Sequence, residues 1–277
     1  MRYTSNMYLL FDIGGTHTRL AVADEQGSPT DLRTFNTALT FEQGLKDFSS
    51  RAAELARGQR FQAAAGGFPG PFGRLKKDPL AAYNLPGWLN KPLKQTLQRE
   101  LGCDIYLEND AALSALGEAN FGAGRGYEII AYLTVGTGVG GARIVDGQID
   151  KCAIGFEPGH QLIDIHGNLE LEQLIGGRQL AAKYGKPLEQ ISDPEIWDQL
   201  AKNLAVGIHN LVVSWSPDVV ILGGGIVRNN ALSLNAVERH LRTTLKIFPD
   251  CPPVKRAELE PHSVLWGALA HLREALG

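Results

Sequence analysis

One short pattern of residues occurs twice in this chain, near its beginning and near its middle. In the first copy an apolar run, 7–13, meets the turn Gly14-Gly15 and continues as a second strand-like run. In the second copy the apolar run 129–135 meets the glycine-rich turn 136–138, continues as another strand and turns again at Asp146-Gly147. A strand that returns through a glycine turn forms a β-hairpin. The repetition therefore predicts a diverged internal duplication.

Periodicity predicts the elements that surround the two hairpins. Apolar residues three or four positions apart predict helices over 41–57, 171–184, 194–214 and 263–276. Short apolar runs predict strands over 32–36, 61–65 and 219–222. A strand also ends near residue 109 and leads into a small-residue helix that ends near Phe121. This mixture predicts an α/β protein, and 277 residues suffice for two lobes.

Composition excludes several functional classes. The net charge is −3 without a long basic run, so we expect no nucleic-acid partner. The sequence has no apolar stretch of about 18 residues and no signal-peptide pattern at its start, so we expect a cytoplasmic protein without membrane contact. The three cysteines are far apart, which indicates neither a disulfide framework nor a cysteine zinc site. Glycine is enriched, with 32 residues, and many of these lie in the turns.

The two glycine turns are candidate phosphate sites. Backbone N–H groups in a tight turn form an anion site, and glycine lets an anion approach closely. The first turn adds the Asp12 carboxylate as a candidate Mg²⁺ ligand, directly or through water, and the Thr16 hydroxyl; the second adds Thr137. An ordinary hairpin turn is the alternative for either turn alone. The GxGxxG match at 136–141 does not predict a dinucleotide site, because a strand and not a helix follows it.

Asp110 is a candidate general base. It follows Asn109 at the predicted start of a helix, where either residue is also a favourable cap. A carboxylate beside a phosphate site can take the proton from an attacking hydroxyl during phosphoryl transfer.

Taken together, the motifs resemble those of the ROK family of sugar kinases, within the actin-like ATPase and hexokinase superfamily. The matching segments, in chain order, are 12–16 (DIGGT), 67–71 (GFPGP), 84–88 (NLPGW), 108–110 (END), 134–138 (TVGTG), 157–160 (EPGH), 167–170 (GNLE) and 222–225 (LGGG). The resemblance implies a two-lobe actin-like ATPase (ribonuclease H-like) fold, with a mixed sheet in each lobe and a cleft between them. It implies a small N-terminal lobe (1–110 plus 261–277) and a large C-terminal lobe (111–260).

The resemblance also implies roles for individual residues. Asp110 matches the base that deprotonates a hexose hydroxyl, usually at carbon 6, for attack on the γ-phosphate of Mg-ATP. The residues implied to bind or border the sugar are Gly67, Asn84, Asn109, Asp110, Glu157, His160 and Glu170. Those implied to bind Mg²⁺, phosphate or adenosine are Asp12, Gly14, Gly15, Thr16, Thr137, Gly138, Gly223, Gly224 and Gly225. The implied cofactors are therefore ATP and Mg²⁺, and a homodimer is expected on the same grounds.

This sequence departs from the family where most members carry a cysteine-rich zinc segment. No cysteine occurs between His160 and Glu170, and Asn168 stands at the position of the last zinc cysteine. We therefore predict no zinc site, with His160 and Glu170 positioned by packing or by hydrogen bonds that involve Asp164 or His166. The identity of the hexose, glucose-like or an N-acetylhexosamine, stays open.

Three alternatives to an ATP-dependent kinase remain at this stage. Polyphosphate is a second candidate donor, for which His17, Arg19 and Arg143 are weak indications. A sugar-responsive transcription regulator is disfavoured, because Asp12 leaves no room before it for a DNA-binding domain. A sugar-binding protein without catalysis is disfavoured by the presence of the required carboxylates.

Overall fold

The computed structural model describes residues 7–73, 85–229 and 232–277. Its strands are β1 (Tyr8–Ile13), β2 (His17–Ala23), β3 (Thr30–Asn36), β4 (Ala63–Phe68), β5 (Asp104–Asn109), β6 (Ile129–Val135), β7 (Val139–Val145), β8 (Gln148–Ile149), β9 (Leu162–Asp164), β10 (Leu169–Glu170), β11 (Val219–Gly223) and β12 (Val254–Arg256). Its helices are α1 (Phe41–Ala56), α2 (Leu93–Leu101), α3 (Asp110–Phe121), α4 (Leu171–Ile175), α5 (Gly177–Tyr184), α6 (Pro194–Trp215), α7 (Gly225–Arg228), α8 (Leu234–Thr244) and α9 (Ser263–Leu276).

The chain divides into two compact units. The first contains Met1–Gly117, Lys151–Gly155 and His262–Gly277, and the second contains Glu118–Asp150 and Phe156–Pro261. The division falls within α3, eight residues after its first residue, Asp110.

The first unit contains a mixed five-stranded sheet in the order β3-β2-β1-β4-β5. β1 pairs antiparallel with β2 and parallel with β4, which in turn pairs parallel with β5. The apolar side of α1 covers the sheet, where Phe48 and Phe11 pack edge to face with their ring centroids 5.3 Å apart. α9 packs against β1 and β4. A Cβ on Gly267 of α9 would overlap the carbonyl of Leu113, so the missing side chain lets α3 and α9 approach closely.

The sheet of the second unit repeats this topology. Its order is β12-β11-β6-β7-β8, in which β6 pairs antiparallel with β7 and parallel with β11, which pairs parallel with β12. Reading from the short hairpin edge, β8-β7-β6-β11-β12 corresponds to β3-β2-β1-β4-β5. The sheet topology therefore confirms the predicted duplication and the α/β class. A second, two-stranded sheet pairs β9 with β10.

Several predicted elements match the structure closely, and one needs correction. The helices predicted at 41–57, 194–214 and 263–276 correspond to α1, α6 and α9. The single helix predicted at 171–184 is wrong, because Gly176 adopts an extended conformation and separates α4 from α5. The break has a packing cause: a Cβ on Gly177 would lie 2.8 Å from the carbonyl oxygen of Gly136. Among the helices of the described residues, none has both the length and the apolar composition needed to cross a membrane.

Candidate active site

The hairpin turn between β1 and β2 carries a buried, oriented carboxylate. Asp12 is 5% exposed, and its Oδ2 lies 2.7 Å from Nη1 of Arg19 on the neighbouring strand. Thr37 closes the turn from outside: its hydroxyl donates to the carbonyl of Gly14, and its N–H donates to the carbonyl of Thr16. Thr16 is exposed at the tip.

The amide of Gly14 is used within the protein, because it donates to the carbonyl of His17 at 2.9 Å. The implied role of Gly14 at the phosphate stays a prediction.

The second hairpin turn, between β6 and β7, is held by hydrogen bonds from three directions. Gly136 donates its N–H to the carbonyl of Gly138, and Val139 donates its N–H to Glu172 Oε2 at 2.7 Å. No motif in the sequence indicates Glu172 as a site residue. The amides of Gly177 and Arg178, at the start of α5, donate to the carbonyls of Gly136 and Thr137. The break between α4 and α5 thus brings the first turn of α5 against the glycine turn, and Thr137 stays exposed.

A cavity of about 880 Å³ opens beside this second turn, within the second unit. Its wall includes Gly136, Thr137 and Gly225, apolar side chains such as Leu188, Ile191 and Trp197, and two cations, Arg178 and Arg228. This volume lies in the range typical of small-molecule sites. Apolar walls for a flat ring system, together with arginines and a glycine turn for phosphates, suit a nucleotide.

The three glycines at the end of β11, 223–225, have different structural roles. A Cβ on Gly223 would lie 2.4 Å from the hydroxyl of Tyr132, so this glycine is required by packing. Gly224 has a φ of +90° and donates its N–H to Glu260 Oε1 at 3.0 Å. A Cβ on Gly225 would meet no atom of the described protein within 4 Å. Packing within the described protein therefore does not require glycine at 225, and the open space beside Gly225 is available to a ligand.

The start of α3 presents the candidate base. The Asn109 side chain accepts a hydrogen bond from the N–H of Ala112 at 3.0 Å and donates to the carbonyl of Gly70 at 3.1 Å. Asp110 is half-buried and accepts from the N–H of Ala111 at 2.8 Å. The cap interpretation therefore holds for Asn109, and Asp110 also carries the negative charge that favours a helix N-terminus.

Sheet register places Asp12 and Asp110 at the same edge of the first unit. Asp12 on β1 is opposite Gly67 on β4, and Gly67 is opposite Glu108 on β5. The carboxyl ends of parallel strands meet at one sheet edge, which is where ligands bind in α/β proteins. Gly67, which is implied to border the sugar, lies within β4; a Cβ there would lie 2.8 Å from Val264 and 3.1 Å from Cα of Asp110. Gly67 thus allows α9 and the start of α3 to pack on the strand.

In the second unit, the short turn 157–160 and the end of β10 bring Glu157, His160 and Glu170 together. His160 Nδ1 lies 2.7 Å from Glu170 Oε2, and this hydrogen bond is the main cause that raises the pKa of His160. The pKa of Glu157 is also raised: the surrounding protein partly desolvates its carboxylate, Glu172 adds to the effect and His160 opposes it. Glu170 itself caps α4 in a reciprocal capping box with Gln173.

Between His160 and Glu170, where most ROK proteins carry a zinc segment, this chain forms a hydrogen-bonded hairpin. Residues 162–170 form the β9–β10 hairpin, whose turn is closed by Asp164 accepting from the N–H groups of His166 and Gly167. Over the described ranges, no three His, Cys, Asp or Glu side chains are grouped as a metal site would require. His160 is oriented by its hydrogen bond with Glu170, and the expected absence of a zinc site stays a prediction.

The residues selected from the sequence divide between the two units. The first unit holds Asp12, Gly14, Gly15, Thr16, Gly67, Asn109 and Asp110, and the second holds Thr137, Gly138, Glu157, His160, Glu170, Gly223, Gly224 and Gly225. Asn84 lies outside the described residues.

Comparison with known proteins agrees with this architecture. The profile of the ROK family matches residues 8–275. A glucokinase of Thermotoga maritima is 27% identical, over 96% of this chain and 97% of its own. An N-acetyl-D-glucosamine kinase of Citrobacter koseri is 29% identical, over 91% and 94%. The crystal structure of a ROK family glucokinase from Streptomyces griseus with glucose and AMPPNP superposes with a TM-score of 0.81 and 25% identity, covering 97% of this chain and 99% of that one.

These matches confirm the predicted enzyme class, a sugar kinase, and the two-lobe actin-like fold class. The chain belongs to the ROK family.

Proposed function

We propose that the protein transfers the γ-phosphoryl group of ATP to the 6-hydroxyl of a hexose. The observation that carries the proposal is the pair of carboxylates at one edge of the first sheet, Asp12 at the hairpin turn and Asp110 at the start of α3. Phosphoryl transfer needs a base for the attacking hydroxyl, positioning of the phosphates and charge neutralisation, and the site residues supply groups for each.

The donor is ATP in this proposal, and the cavity beside Thr137 supports that choice. Polyphosphate needs cations and has no use for the apolar wall that Ile191 and Trp197 provide. Two of the three residues that indicated polyphosphate are bonded inside the protein: Arg19 pairs with Asp12, and Arg143 pairs with Asp150. The arginines that line the cavity, Arg178 and Arg228, would contact the phosphates of a nucleotide.

Asp12 fits a role in holding Mg²⁺. A carboxylate is the ligand type that Mg²⁺ prefers, commonly with water completing the shell. Asp12 is buried at the turn, and Arg19 restrains its orientation. When bound, Mg²⁺ would neutralise charge that develops on the transferred phosphoryl group.

Asp110 acts as the base. Its carboxylate accepts the proton of the sugar 6-hydroxyl while the hydroxyl oxygen forms a bond to the γ-phosphorus. The bond from that phosphorus to the bridging oxygen breaks, and ADP leaves. General-base assistance of this kind contributes roughly 10²- to 10⁴-fold to a rate.

The sugar is held by polar side chains in this proposal. Asn109 and Asp110 bind some of the sugar hydroxyls, and Glu157, His160 and Glu170 bind others. Carboxylates, amides and imidazole pair well with vicinal hydroxyls, and a site that satisfies several hydroxyls rejects sugars that lack them. The relatives named above act on glucose and on N-acetyl-D-glucosamine, so glucose-like hexoses and N-acetylhexosamines are the proposed acceptors. A cytoplasmic location and a homodimer stay predictions.

A coupled assay of ADP release tests the proposal. Purified protein is given Mg-ATP and, one at a time, glucose, mannose, fructose, N-acetylglucosamine and N-acetylmannosamine. Turnover with one or more of these, formation of the 6-phosphate by NMR, and no comparable rate with polyphosphate are expected. No phosphorylation of any of these sugars, or a faster rate with polyphosphate than with ATP, would contradict it.

A further inference from the structure

The side chain of Gln161 joins separate segments of the second unit. Its Nε2 donates to the carbonyl of Pro158 at 2.9 Å, and its Oε1 accepts from Nδ2 of Asn210 on α6 at 2.8 Å. Its backbone carbonyl accepts from the N–H of Leu171, the first residue of α4, at 3.0 Å. Gln161 therefore ties the turn that carries Glu157 and His160 to a long helix through its side chain, and to the start of α4 through its backbone.

Chemistry fixes the direction of this hydrogen-bond chain. The carbonyl of Pro158 can only accept, so the amide of Gln161 must present its NH₂ group there. The oxygen of that amide then faces Asn210, which must donate. The amide orientations, which heavy-atom positions alone often leave open, are therefore determined by the network.

The packing around Gln161 is tight enough to require glycines. Gly207 lies one turn before Asn210 on α6, and a Cβ there would lie 2.6 Å from Leu171 and 3.4 Å from Gln161 Nε2. Glycine inside a helix lowers stability by about 0.5–1 kcal/mol relative to alanine. The close packing of α6 against Leu171 at Gly207 offsets this loss. On the other side of the turn, a Cβ on Gly159 would lie 2.1 Å from the carbonyl of Val139.

We propose that Gln161 and Asn210 are positioning residues that set the affinity for the sugar. They hold the turn that carries Glu157 and His160 by hydrogen bonds, at the place where this chain lacks the cysteines of a zinc segment. The inference rests on the proposed function, because it assumes that Glu157 and His160 bind the sugar. Neither Gln161 nor Asn210 touches the reacting atoms.

Asn210→Asp is the sharpest test, since it changes one donor to an acceptor with almost no change of shape. A carboxylate at 210 would face the oxygen of Gln161, which must then rotate and lose its bond to Pro158. We expect the KM for the sugar to rise at least tenfold, kcat to stay within about threefold and the KM for ATP to stay unchanged. Calorimetric binding of the sugar alone should weaken by the same factor.

Asn203→Asp is the matched control on the same helix. Asn203 accepts a hydrogen bond from Nε2 of Gln199 at 2.8 Å, so aspartate keeps the acceptor while adding the same charge to α6. The control should keep the wild-type KM for the sugar. Gln161→Met, which removes donor and acceptor at similar length, should reproduce the effect of Asn210→Asp, and the double variant should be little worse than either single one.

The outcomes separate the two proposals. Wild-type protein that phosphorylates none of the sugars overturns the proposed function. An active wild type whose Asn210→Asp and Gln161→Met variants keep the wild-type sugar KM overturns this inference and leaves the proposed function intact. Variants that lose kcat and sugar affinity equally, or whose KM for ATP rises as much, also overturn it, because a general structural defect acts in that way. If Asn210→Asp does not fold, Gln161→Met decides by the same criteria.

Discussion

The imidazole Nδ1 of His160 lies 2.7 Å from the carboxylate of Glu170, although no cysteine stands between them in the sequence. Glu170 at the same time accepts from a backbone N–H at the start of α4. One carboxylate thus orders a helix terminus and orients a side chain that we assign to the sugar. A zinc ion is not needed for this orientation, because the helix cap and the β9–β10 hairpin fix Glu170.

The pKa of His160 should fall when Glu170 becomes neutral. The hydrogen bond to Glu170 is the largest cause of the raised pKa, and Glu157 and Glu172 raise it further by their charges. In Glu170→Gln we therefore expect a titration midpoint closer to the ordinary histidine value, about 6.5. Glutamine can still accept at the cap of α4, so the helix should persist. A proton NMR titration, with the His160 signal assigned by His160→Gln, measures the shift.

The same pair predicts how stability depends on pH. The pKa of His160 is raised in the folded protein, so the folded state binds a proton more readily than the unfolded chain. The stabilisation is present in full below the unfolded pKa and is lost as pH rises through the folded pKa.

Glu195→Gln, a similar neutralisation at the start of α6, is the control for the titration of His160 and should leave the midpoint of His160 unchanged. An unchanged midpoint in Glu170→Gln would show that the hydrogen bond does not set this pKa.

Asp110→Asn should remove most of the turnover without unfolding the protein. The amide oxygen can still accept from the N–H of Ala111, so the start of α3 should be retained. Loss of a general base lowers kcat by roughly 10²- to 10⁴-fold. Exposed Asp104, at the other end of β5, gives the control variant Asp104→Asn, which should keep wild-type kcat. Near-normal turnover by Asp110→Asn, measured as ADP release, would remove Asp110 from the mechanism.

Local patterns in the sequence were sufficient for the hairpins and for the helix that Asp110 begins. Strand periodicity and glycine turns act over a few residues, which is why β1–β2 and β6–β7 could be predicted. The hydrogen bond from Asn210 to Gln161 joins positions 49 apart and leaves no local signal. The break at Gly176 was missed for a similar reason, since a helical pattern runs through it and the close approach of Gly177 to Gly136 is a tertiary contact.

Glycine enrichment was only partly explained by ligand approach. Gly66 lies in β4 and Gly141 in β7. A Cβ on Gly66 would overlap Phe11, and a Cβ on Gly141 would overlap the carbonyl of Tyr132. Such a requirement depends on which chain segments become neighbours, so it becomes visible only in the folded structure.

Gly225→Ala and Gly224→Ala should separate ligand approach from backbone requirement. A methyl group at 225 meets no described atom of the protein within 4 Å, so the melting temperature should be unchanged or slightly higher. If ATP approaches this position, its KM should rise about tenfold. At 224 the φ of +90° strains any other residue, and the carbonyl of Val135 lies 2.4 Å from the added Cβ, so stability should fall by about 1–3 kcal/mol. An unchanged KM for ATP in Gly225→Ala would argue against a nucleotide at this turn.

Glu118→Gln should lower the stability of the second unit, because it disrupts buried hydrogen bonds. The carboxylate of Glu118 is fully buried and accepts from the N–H groups of Ala123, Glu258 and Leu259 at 3.0, 3.0 and 2.8 Å. An amide has one oxygen, so its NH₂ group must face at least one backbone donor. A buried donor left without an acceptor costs about 1–3 kcal/mol.

The destabilisation should also reach the cavity beside Thr137, because Glu260, which follows Leu259, accepts the N–H of Gly224, the residue before Gly225 in the cavity wall. We therefore expect a lower urea midpoint and a higher KM for ATP in Glu118→Gln. Exposed Glu128 provides the control variant Glu128→Gln, which should unfold within about 0.5 kcal/mol of wild type. If both variants unfold at the same urea concentration, the three hydrogen bonds of Glu118 do not contribute to stability as the geometry indicates.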